Sequence, residues 1–304
     1  MILVVGNVAV DTTLRVERLP RPGETVVARG AAEDLGGKGA NQAVTAARAG
    51  ARVRLFAAIG DDAGGARVRR AVAAEEIPTD GLVALSGATD RCFIVVDASG
   101  ENTIVSHIDA AQAFDPIGRA GLADAIDPGD WVLMQGNLAP AATRACLGLA
   151  KRRGASTALN PSPTWPVDEY EWGNVDLAVV NQGEAIDLGG RDDPFAAARA
   201  LCAAGAGATA LTLGAAGAAL IAPDGEWRAA APRVAAIDAV GAGDVFCGAL
   251  VAARSLGRRW PDALQIAVDA AAIAVTRRGA QASFPTRIEM AGLLAQPGVE
   301  EQRA

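Results

Sequence analysis

The feature that most constrains this fold is a regular alternation of short apolar runs with segments of helical spacing. The first run, residues 2–6, is wholly apolar until its final glycine, as in a strand buried on both faces. Similar runs follow at 53–59, 130–135, 156–160, 177–181 and 208–213. The helical segments between them are 64–74, 140–151 and 194–204. Such alternation predicts an α/β domain whose mostly parallel sheet carries helices on both faces, a three-layer sandwich.

Two other segments have the period-two alternation of hairpins with one exposed face. The first is 12–29, with strands predicted at 12–16 and 24–28 around a turn rich in proline and glycine. The second is 91–106, with its turn at 99–101. We expect these two segments to form a small lid sheet. The core is then made of residues 1–11, 30–90 and 107–304.

Composition excludes several classes of protein. The net charge is −7 without a basic run, which argues against a nucleic-acid partner. No apolar run is long enough to span a membrane, and the first strand is too short and lacks the basic start of a signal peptide. The four cysteines are far apart, which favours free thiols and a cytoplasmic protein. A single histidine, His107, nearly excludes histidine-based metal sites and triads, so the chemistry must rest on carboxylates, amides and oxygen-ligated cations.

Polar or glycine residues follow many of the predicted strands. They are Asn7, Asn137, Asn160, Asn181, Gly214 and Asp244. Because ligands of open α/β sheets bind at the carboxyl ends of the strands, these residues are expected to share one site.

The stretch 236–250 is the strongest candidate for chemistry. A strand-like approach at 233–237 leads into Gly241-Ala242-Gly243-Asp244 and then into an apolar helical pattern. Small residues at a helix start allow backbone N–H groups to approach an anion, and the helix dipole favours negative charge there. Asp244 could then take a proton from a hydroxyl that attacks a phosphate. The alternative is that the glycines only shape a turn and Asp244 only caps the helix.

A second glycine-rich segment, 35–42, opens a helix that runs to about Ala49. It lacks the spacing of a phosphate-binding P-loop, so that mechanism is rejected. Lys38 and Asn41 instead suit hydrogen bonds to a polyol. An ordinary glycine-rich helix start with a solvated lysine is the alternative.

These segments together resemble the ribokinase-like (PfkB) carbohydrate kinases, with the ribokinase branch the nearest. The resemblance rests on the order and spacing of three motifs, Gly36-Gly37-Lys38-Gly39-Ala40-Asn41-Gln42-Ala43, Asn181-Gln182-Gly183-Glu184 and Asp238-Ala239-Val240-Gly241-Ala242-Gly243-Asp244. It extends from the first strand to about residue 285. It implies an ATP-dependent sugar kinase that uses Mg²⁺ and K⁺ and forms a homodimer through the lid.

The resemblance also implies roles for individual residues. The catalytic base would be Asp244, and the anion hole would be Gly241, Ala242 and Gly243. The sugar would be held by Asp11, Gly37, Lys38 and Asn41. The nucleotide would lie along Asn181, Thr212 and Gly214, with Glu184 acting on Mg²⁺ through water. A monovalent cation would bind at Asp238, Val240, Ala274, Arg277, Gly279 and Ser283, mostly through backbone carbonyls.

Two departures from the ribokinase pattern bear on the substrate. Ala9 stands where ribokinases carry an asparagine, and Gly136-Asn137 stands where they carry a glutamate. Both family residues contact the sugar, so the expected substrate is a small sugar with a primary hydroxyl, a ribose-like pentose or a related ketose or hexose, and Asn137 joins the candidate sugar contacts. A nucleoside kinase of the same superfamily and a non-catalytic sugar or nucleotide sensor are the alternatives.

Overall fold

The structure is a computed structural model that describes residues 1–99 and 101–296. Its strands are β1 (Ile2–Val5), β2 (Ala9–Arg15), β3 (Gly30–Gly36), β4 (Val53–Gly60), β5 (Leu82–Leu85), β6 (Arg91–Val96), β7 (Asn102–His107), β8 (Trp131–Gln135), β9 (Ser156–Asn160), β10 (Leu177–Asn181), β11 (Thr209–Thr212), β12 (Ala218–Ala222) and β13 (Gly225–Ala229). Its helices are α1 (Lys38–Arg48), α2 (Ala63–Ala74), α3 (Asp109–Gln112), α4 (Pro116–Arg119), α5 (Leu122–Ala125), α6 (Pro140–Arg152), α7 (Gln182–Gly189), α8 (Pro194–Ala203), α9 (Ala242–Ser255), α10 (Trp260–Val275) and α11 (Arg287–Leu294). Gly100, in the turn predicted at 99–101, lies outside the described residues.

A large sheet forms the middle of the molecule. Nine of the described strands pair in the order β13-β12-β11-β10-β9-β8-β1-β4-β5. The pairs from β5 through β11 are parallel, and β12 and β13 add an antiparallel edge. The predicted mostly parallel sheet is therefore confirmed. The β12–β13 hairpin was not predicted.

Helices cover both faces of this sheet. Along β1, Ile2 and Val4 face one apolar cluster while Leu3 and Val5 face the other, and all four are completely buried. Helices α1, α9 and α10 fill the first cluster, whereas α6 and α8 contribute to the second. Each fully buried Val, Leu or Ile side chain stabilises such a core by about 1.5–3 kcal/mol. This is the expected three-layer sandwich.

A small sheet is attached where the large sheet ends. Its order is β3-β2-β6-β7, with β2 and β6 parallel and the outer pairs antiparallel. The strand predicted at 24–28 is wrong, because the partner of β2 is β3 at Gly30–Gly36. The residues of β3 have little intrinsic strand preference, so pairing with β2 decides their conformation. Since β2 follows β1 closely and β3 leads directly into α1, the small sheet adjoins the carboxyl end of β1.

Two further predictions concern the segment before α9 and the state of the cysteines. The strand-like approach predicted at 233–237 is wrong: these residues are exposed and form no strand. The cysteines are free thiols, as expected, with Cys146 and Cys247 buried. In the part of the chain that the structure describes, no helix has the length and apolar character needed to cross a membrane.

Candidate active site

Helix α9 begins with an open, uncapped N-terminus. Gly241 is the N-cap residue, with φ of +78°, and no side chain caps the first turn. A Cβ at this position would also lie 2.6 Å from Phe284 Cε1, so only glycine fits. At Gly243 no atom lies within 4 Å of the place a Cβ would take. The N–H of Ala242 donates to the carbonyl of Ala239 at 3.2 Å. The rest of the first turn offers backbone N–H groups, the positive end of the helix dipole and free space, which together suit an anion.

The carboxylate of Asp244 lies in this first turn and is 6% exposed. Asn41 Nδ2 donates to its Oδ2 at 3.0 Å, and Gln42 Nε2 donates to its Oδ1 at 3.0 Å. Both donors come from α1, about two hundred residues earlier in the chain. The two glycine-rich motifs therefore meet at one buried acid whose oxygens are held by neutral amides.

The start of α1 sits directly on the end of β1. Gly37, the N-cap residue, has φ of +88°, and a Cβ there would lie 2.9 Å from the carbonyl oxygen of Asn7. The N–H of Ala40 donates to that carbonyl at 3.1 Å, and the N–H of Gly39 donates to Asn7 Oδ1 at 3.4 Å. Lys38 is the first residue of the helix and is half-buried. These contacts fix the position from which Asn41 and Gln42 reach Asp244.

Asp11 contributes a second acid from the small sheet. Its Oδ1 is buried and accepts no hydrogen bond within the described protein, and a side chain at Gly36 would collide with this carboxyl group. Burial raises the pKa of Asp11 to about 6, a hydrogen bond with Cys92 opposes the rise, and the charge of Asp244 adds to it. An acceptor in such a position is suited to receive a hydroxyl of a bound molecule.

Asn137 follows β8 and carries another buried acceptor without a partner. Its Oδ1 accepts no hydrogen bond within the described protein, while its backbone carbonyl accepts from Gln112 Nε2 at 2.6 Å. Ala9 is buried in β2 opposite Gly36 and offers no polar side chain. An unpartnered buried acceptor costs about 1–3 kcal/mol, so a ligand hydroxyl that reached Asn137 would recover that cost.

Residues at the ends of β10 and β11 have defined local roles. Asn181 and Glu184 form a capping box at α7: the N–H of Glu184 donates to Asn181 Oδ1 and the N–H of Asn181 donates to Glu184 Oε2, each at 2.9 Å. Thr212 Oγ1 donates to the carbonyl of Val180 at 3.4 Å. Gly214 follows with φ of +60°, a conformation that favours glycine. The sequence motif Asn181-Gln182-Gly183-Glu184 is thus explained in part by helix capping.

The loop before α9 is tied to the segment after α10. Asp238 Oδ1 accepts from the N–H of Val240 and Oδ2 accepts from the N–H of Gly279, each at 3.0 Å. The carbonyl of Val275 accepts from the N–H groups of Ile237 and Asp238. After α10, the N–H of Arg277 donates to the carbonyl of Ala274, and the Arg277 side chain pairs with Glu289. The buried Ser283 hydroxyl donates to the carbonyl of Ala280. Carboxylate, hydroxyl and carbonyl oxygens such as these are the kinds of ligand that a hard cation prefers.

Metal-binding clusters of the usual kind are not found. Across residues 1–99 and 101–296, no group of three or more His, Cys, Asp and Glu side chains could hold a metal ion.

Comparison with known proteins assigns this chain to a family. The model of the pfkB family carbohydrate kinases matches residues 1–287. The chain belongs to this family. It is therefore a kinase of the carbohydrate type, which transfers phosphate to a hydroxyl group.

Relatives of this PfkB-family kinase extend over nearly the whole chain. A ribokinase of Haemophilus influenzae is 32% identical over 293 residues, covering 94% of this chain and 95% of that protein. A solved ribokinase of Thermotoga maritima superposes with a TM-score of 0.87 at 30% identity, covering 97% of this chain and 99% of that one. A ribokinase of Cryptococcus neoformans var. grubii serotype A, solved in complex with ADP, gives a TM-score of 0.80 at 31% identity, with 96% and 98% covered.

Sequence analysis of this PfkB-family kinase missed a set of buried amides beside Asp244. Gln135 and Gln42 are completely buried and Asn160 is nearly so, and their side chains are joined by hydrogen bonds of 2.8 and 3.2 Å. A signal existed for Gln42, since it is a polar residue among apolar positions on the buried face of α1. The strand-end position of Asn160 was recognised, but the partners of these amides come from distant parts of the chain.

Proposed function

We propose that this PfkB-family kinase transfers the γ-phosphoryl group of ATP to a primary hydroxyl of a small sugar, a ribose-like pentose or a related ketose or hexose. One observation carries the proposal: a buried carboxylate, Asp244, lies in the first turn of an uncapped, glycine-started helix and is held by two amides of the other glycine-rich motif. A proton acceptor and an anion site are thus adjacent, as transfer to an alcohol requires.

Asp244 acts as the general base. It takes the proton of the sugar hydroxyl as that oxygen attacks the γ-phosphorus, while the leaving phosphate oxygen remains with ADP. The backbone amides of Gly241, Ala242 and Gly243 receive the transferring group, and the N–H of Ala242 is then shared between a phosphoryl oxygen and the carbonyl of Ala239, to which it donates at 3.2 Å. The transition state is loose and spreads charge over the phosphoryl oxygens, so fixed amides that require no reorganisation stabilise it. A positioned base adds roughly 10²–10⁴-fold in rate.

The sugar lies between the small sheet and the start of α1. Asp11 accepts hydroxyl hydrogens through the oxygen that has no partner within the described protein. Lys38 and Asn41 donate to sugar oxygens, Gly37 allows close approach of the backbone, and the orphan Oδ1 of Asn137 accepts from a further hydroxyl. Because Ala9 offers no amide, the hydroxyl pattern that this pocket satisfies differs from that of a pocket with asparagine there.

The nucleotide lies along the ends of β10 and β11, at Asn181, Thr212 and Gly214. Mg²⁺ neutralises the triphosphate when bound, and Glu184 reaches it through water. The half-buried Glu184 carboxylate fits that indirect contact, because one of its oxygens already caps α7. The ADP complex of the relative from Cryptococcus neoformans supports a nucleotide site in this fold.

The loop before α9 and the segment after α10 would bind K⁺, which would activate the enzyme. The donors are the Asp238 carboxylate, the Ser283 hydroxyl and backbone carbonyls of Val240, Ala274, Arg277 and Gly279. Asp238 already bonds to the N–H groups of Val240 and Gly279, so a cation here would stiffen the loop that leads into the anion hole.

The protein forms a homodimer through its lid. Phe93 of β6 and Val105 of β7 are paired across the small sheet and are 42% and 63% exposed. By strand register they lie on the face opposite Asp11 and Cys92. A second lid would cover this apolar pair and leave the sugar side open.

A coupled assay of ADP release tests the function. Pentoses, ketoses, hexoses and nucleosides are offered as acceptors with ATP and Mg²⁺, with and without K⁺. We expect the highest kcat/KM with a free sugar that has a primary hydroxyl, and a higher rate with K⁺. A nucleoside as the best acceptor would replace the proposal by a nucleoside kinase, and no ADP release with any acceptor would leave a sensor.

A further inference from the structure

Gln42 is a buried amide that touches the proposed base. Its side chain is 0% exposed. Its Nε2 donates to Asp244 Oδ1 at 3.0 Å and to Asn160 Oδ1 at 3.2 Å, and its Oε1 accepts from Gln135 Nε2 at 2.8 Å. Since it has no surface toward solvent, any effect of Gln42 on a reaction must pass through its buried partners, of which Asp244 is the one with a proposed role in the reaction.

The orientation of the Gln42 amide is fixed by a chain of partners. It starts at the backbone carbonyl of Val179, which can only accept a hydrogen bond, so the Nδ2 of Asn160 must face it, at 2.9 Å. The Oδ1 of Asn160 then faces Gln42, whose Nε2 must turn toward it. This leaves the Oε1 of Gln42 for the Nε2 of Gln135. A flipped Gln42 would place its oxygen against the carboxylate of Asp244, so the network favours a single arrangement.

Helix packing holds the same arrangement. A Cβ at Gly248 of α9 would lie 2.6 Å from the carbonyl oxygen of Gln42 and 2.9 Å from Thr45 Cβ. The backbones of α1 and α9 are therefore in close contact one turn beyond Asp244. Gln42 and Asp244 cannot separate without moving two packed helices.

The two oxygens of Asp244 differ in their surroundings. Oδ1 faces Gln42 in the interior, and Oδ2 faces Asn41, whose Oδ1 accepts from Gln281 Nε2 at 3.3 Å. Asn41 lies on the side of the proposed sugar site, whereas Gln42 lies behind the base. Of the two oxygens, Oδ2 is therefore the one on the side of the proposed sugar site.

We propose that Gln42 is a positioning residue for phosphoryl transfer, which holds Asp244 Oδ1 so that Oδ2 alone receives the proton of the sugar. This inference rests on the proposed function, because it needs Asp244 to act as the base.

The test replaces Gln42 by leucine, which has similar volume and no donor. We expect kcat of Gln42→Leu to fall roughly 10- to 100-fold, part of what a positioned base contributes. The KM of the sugar should change less than about threefold, because a transition-state interaction is removed and a ground-state one is not.

The matched control is Thr45→Val, an isosteric change on the same buried helix at the same contact with α9. Thr45 Oγ1 donates to the carbonyl of Asn41, at 2.9 Å, so kcat and the KM of the sugar should stay as in the wild type. A folded Gln42→Leu protein with wild-type kcat would overturn the proposal.

If thermal denaturation shows that Gln42→Leu does not fold, a second variant, Asn160→Leu, tests the role of Gln42 instead. Asn160→Leu removes the acceptor that orients Gln42 without touching Asp244, and it should lower kcat in the same way. An unchanged kcat in that folded variant contradicts the inference. The wild type is assayed in parallel: an active wild type with unaffected variants refutes only the role of Gln42, whereas an inactive wild type refutes the proposed function as well.

Discussion

Replacing Asp11 by asparagine should make the ligand-free protein more stable at neutral pH while weakening its hold on the sugar. The Asp11 carboxyl is largely buried, has an oxygen without a partner within the described protein and lies in the field of Asp244. In the ligand-free protein the charge of Asp11 therefore lowers the stability of the folded state. A bound hydroxyl that donates to this carboxylate would offset the loss. Asparagine keeps the shape and removes the charge.

The magnitude follows from the pKa of Asp11, which burial raises from its ordinary value of 3.8 to about 6. Because the pKa in the folded protein is above that of the unfolded chain, the folded state holds the proton more tightly. This carboxyl therefore costs no stability below about pH 4, costs more as the pH rises toward 6, and costs most above it. Two pKa units correspond to about 3 kcal/mol, an upper bound because part of the group is solvated.

Urea unfolding of the ligand-free protein at pH 5 and pH 8 measures the effect. We expect Asp11→Asn to gain about 1–3 kcal/mol at pH 8 and clearly less at pH 5. The KM of the sugar should rise at least about tenfold in the variant, and in the wild type it should rise as the pH falls below about 6. Asp192→Asn is the control, since Asp192 is an exposed carboxylate that does not contribute to the raised pKa of Asp11. A gain of equal size at both pH values, or no gain at pH 8, would refute the reasoning.

Three other predictions address the remaining parts of the site. Asp238→Asn loses one of two acceptors that tie Val240 to Gly279, and a KCl titration of the rate should show half-activation at a concentration at least about tenfold higher; an unchanged titration would contradict the cation site. Gly243→Ala places a methyl group in open space, so thermal denaturation should show stability equal to or up to about 1 kcal/mol above that of wild type, while kcat falls at least about tenfold; full activity would argue against the anion hole. Phe93→Asp charges the exposed lid face, and sedimentation should show a monomer where the wild type is a dimer; a dimer in both would exclude this surface.

Most of the architecture could be predicted from residue patterns, because buried parallel strands are wholly apolar and their helices are amphipathic. The misses occur where the pattern is weak. Residues 24–28 are rich in β-branched side chains but form no strand, whereas residues 30–36 pair with β2 despite two acidic residues. Tertiary pairing outweighed local preference at both places.

The site could be predicted only in part. The motifs indicated Asp244 and Asn41, which the structure brings together. The amides beside Asp244 could not be paired from sequence, since Gln42 lies 93 residues from Gln135 and 118 residues from Asn160. The capping box formed by Asn181 and Glu184 was likewise not predicted, because their motif was interpreted only as a nucleotide site.

The central claim is that the Asp244 carboxylate takes the proton of the acceptor alcohol. The most direct measurement compares turnover and sugar affinity in Asp244→Asn, with the sugar that gives the highest kcat/KM in the acceptor panel. Asp193→Asn is the control, because that residue also lies at a helix start and asparagine caps equally well. We predict that kcat of Asp244→Asn falls at least about 100-fold while the Kd of the sugar, measured by calorimetry, stays within about threefold. A folded Asp244→Asn protein that turns over at the wild-type rate would contradict the account.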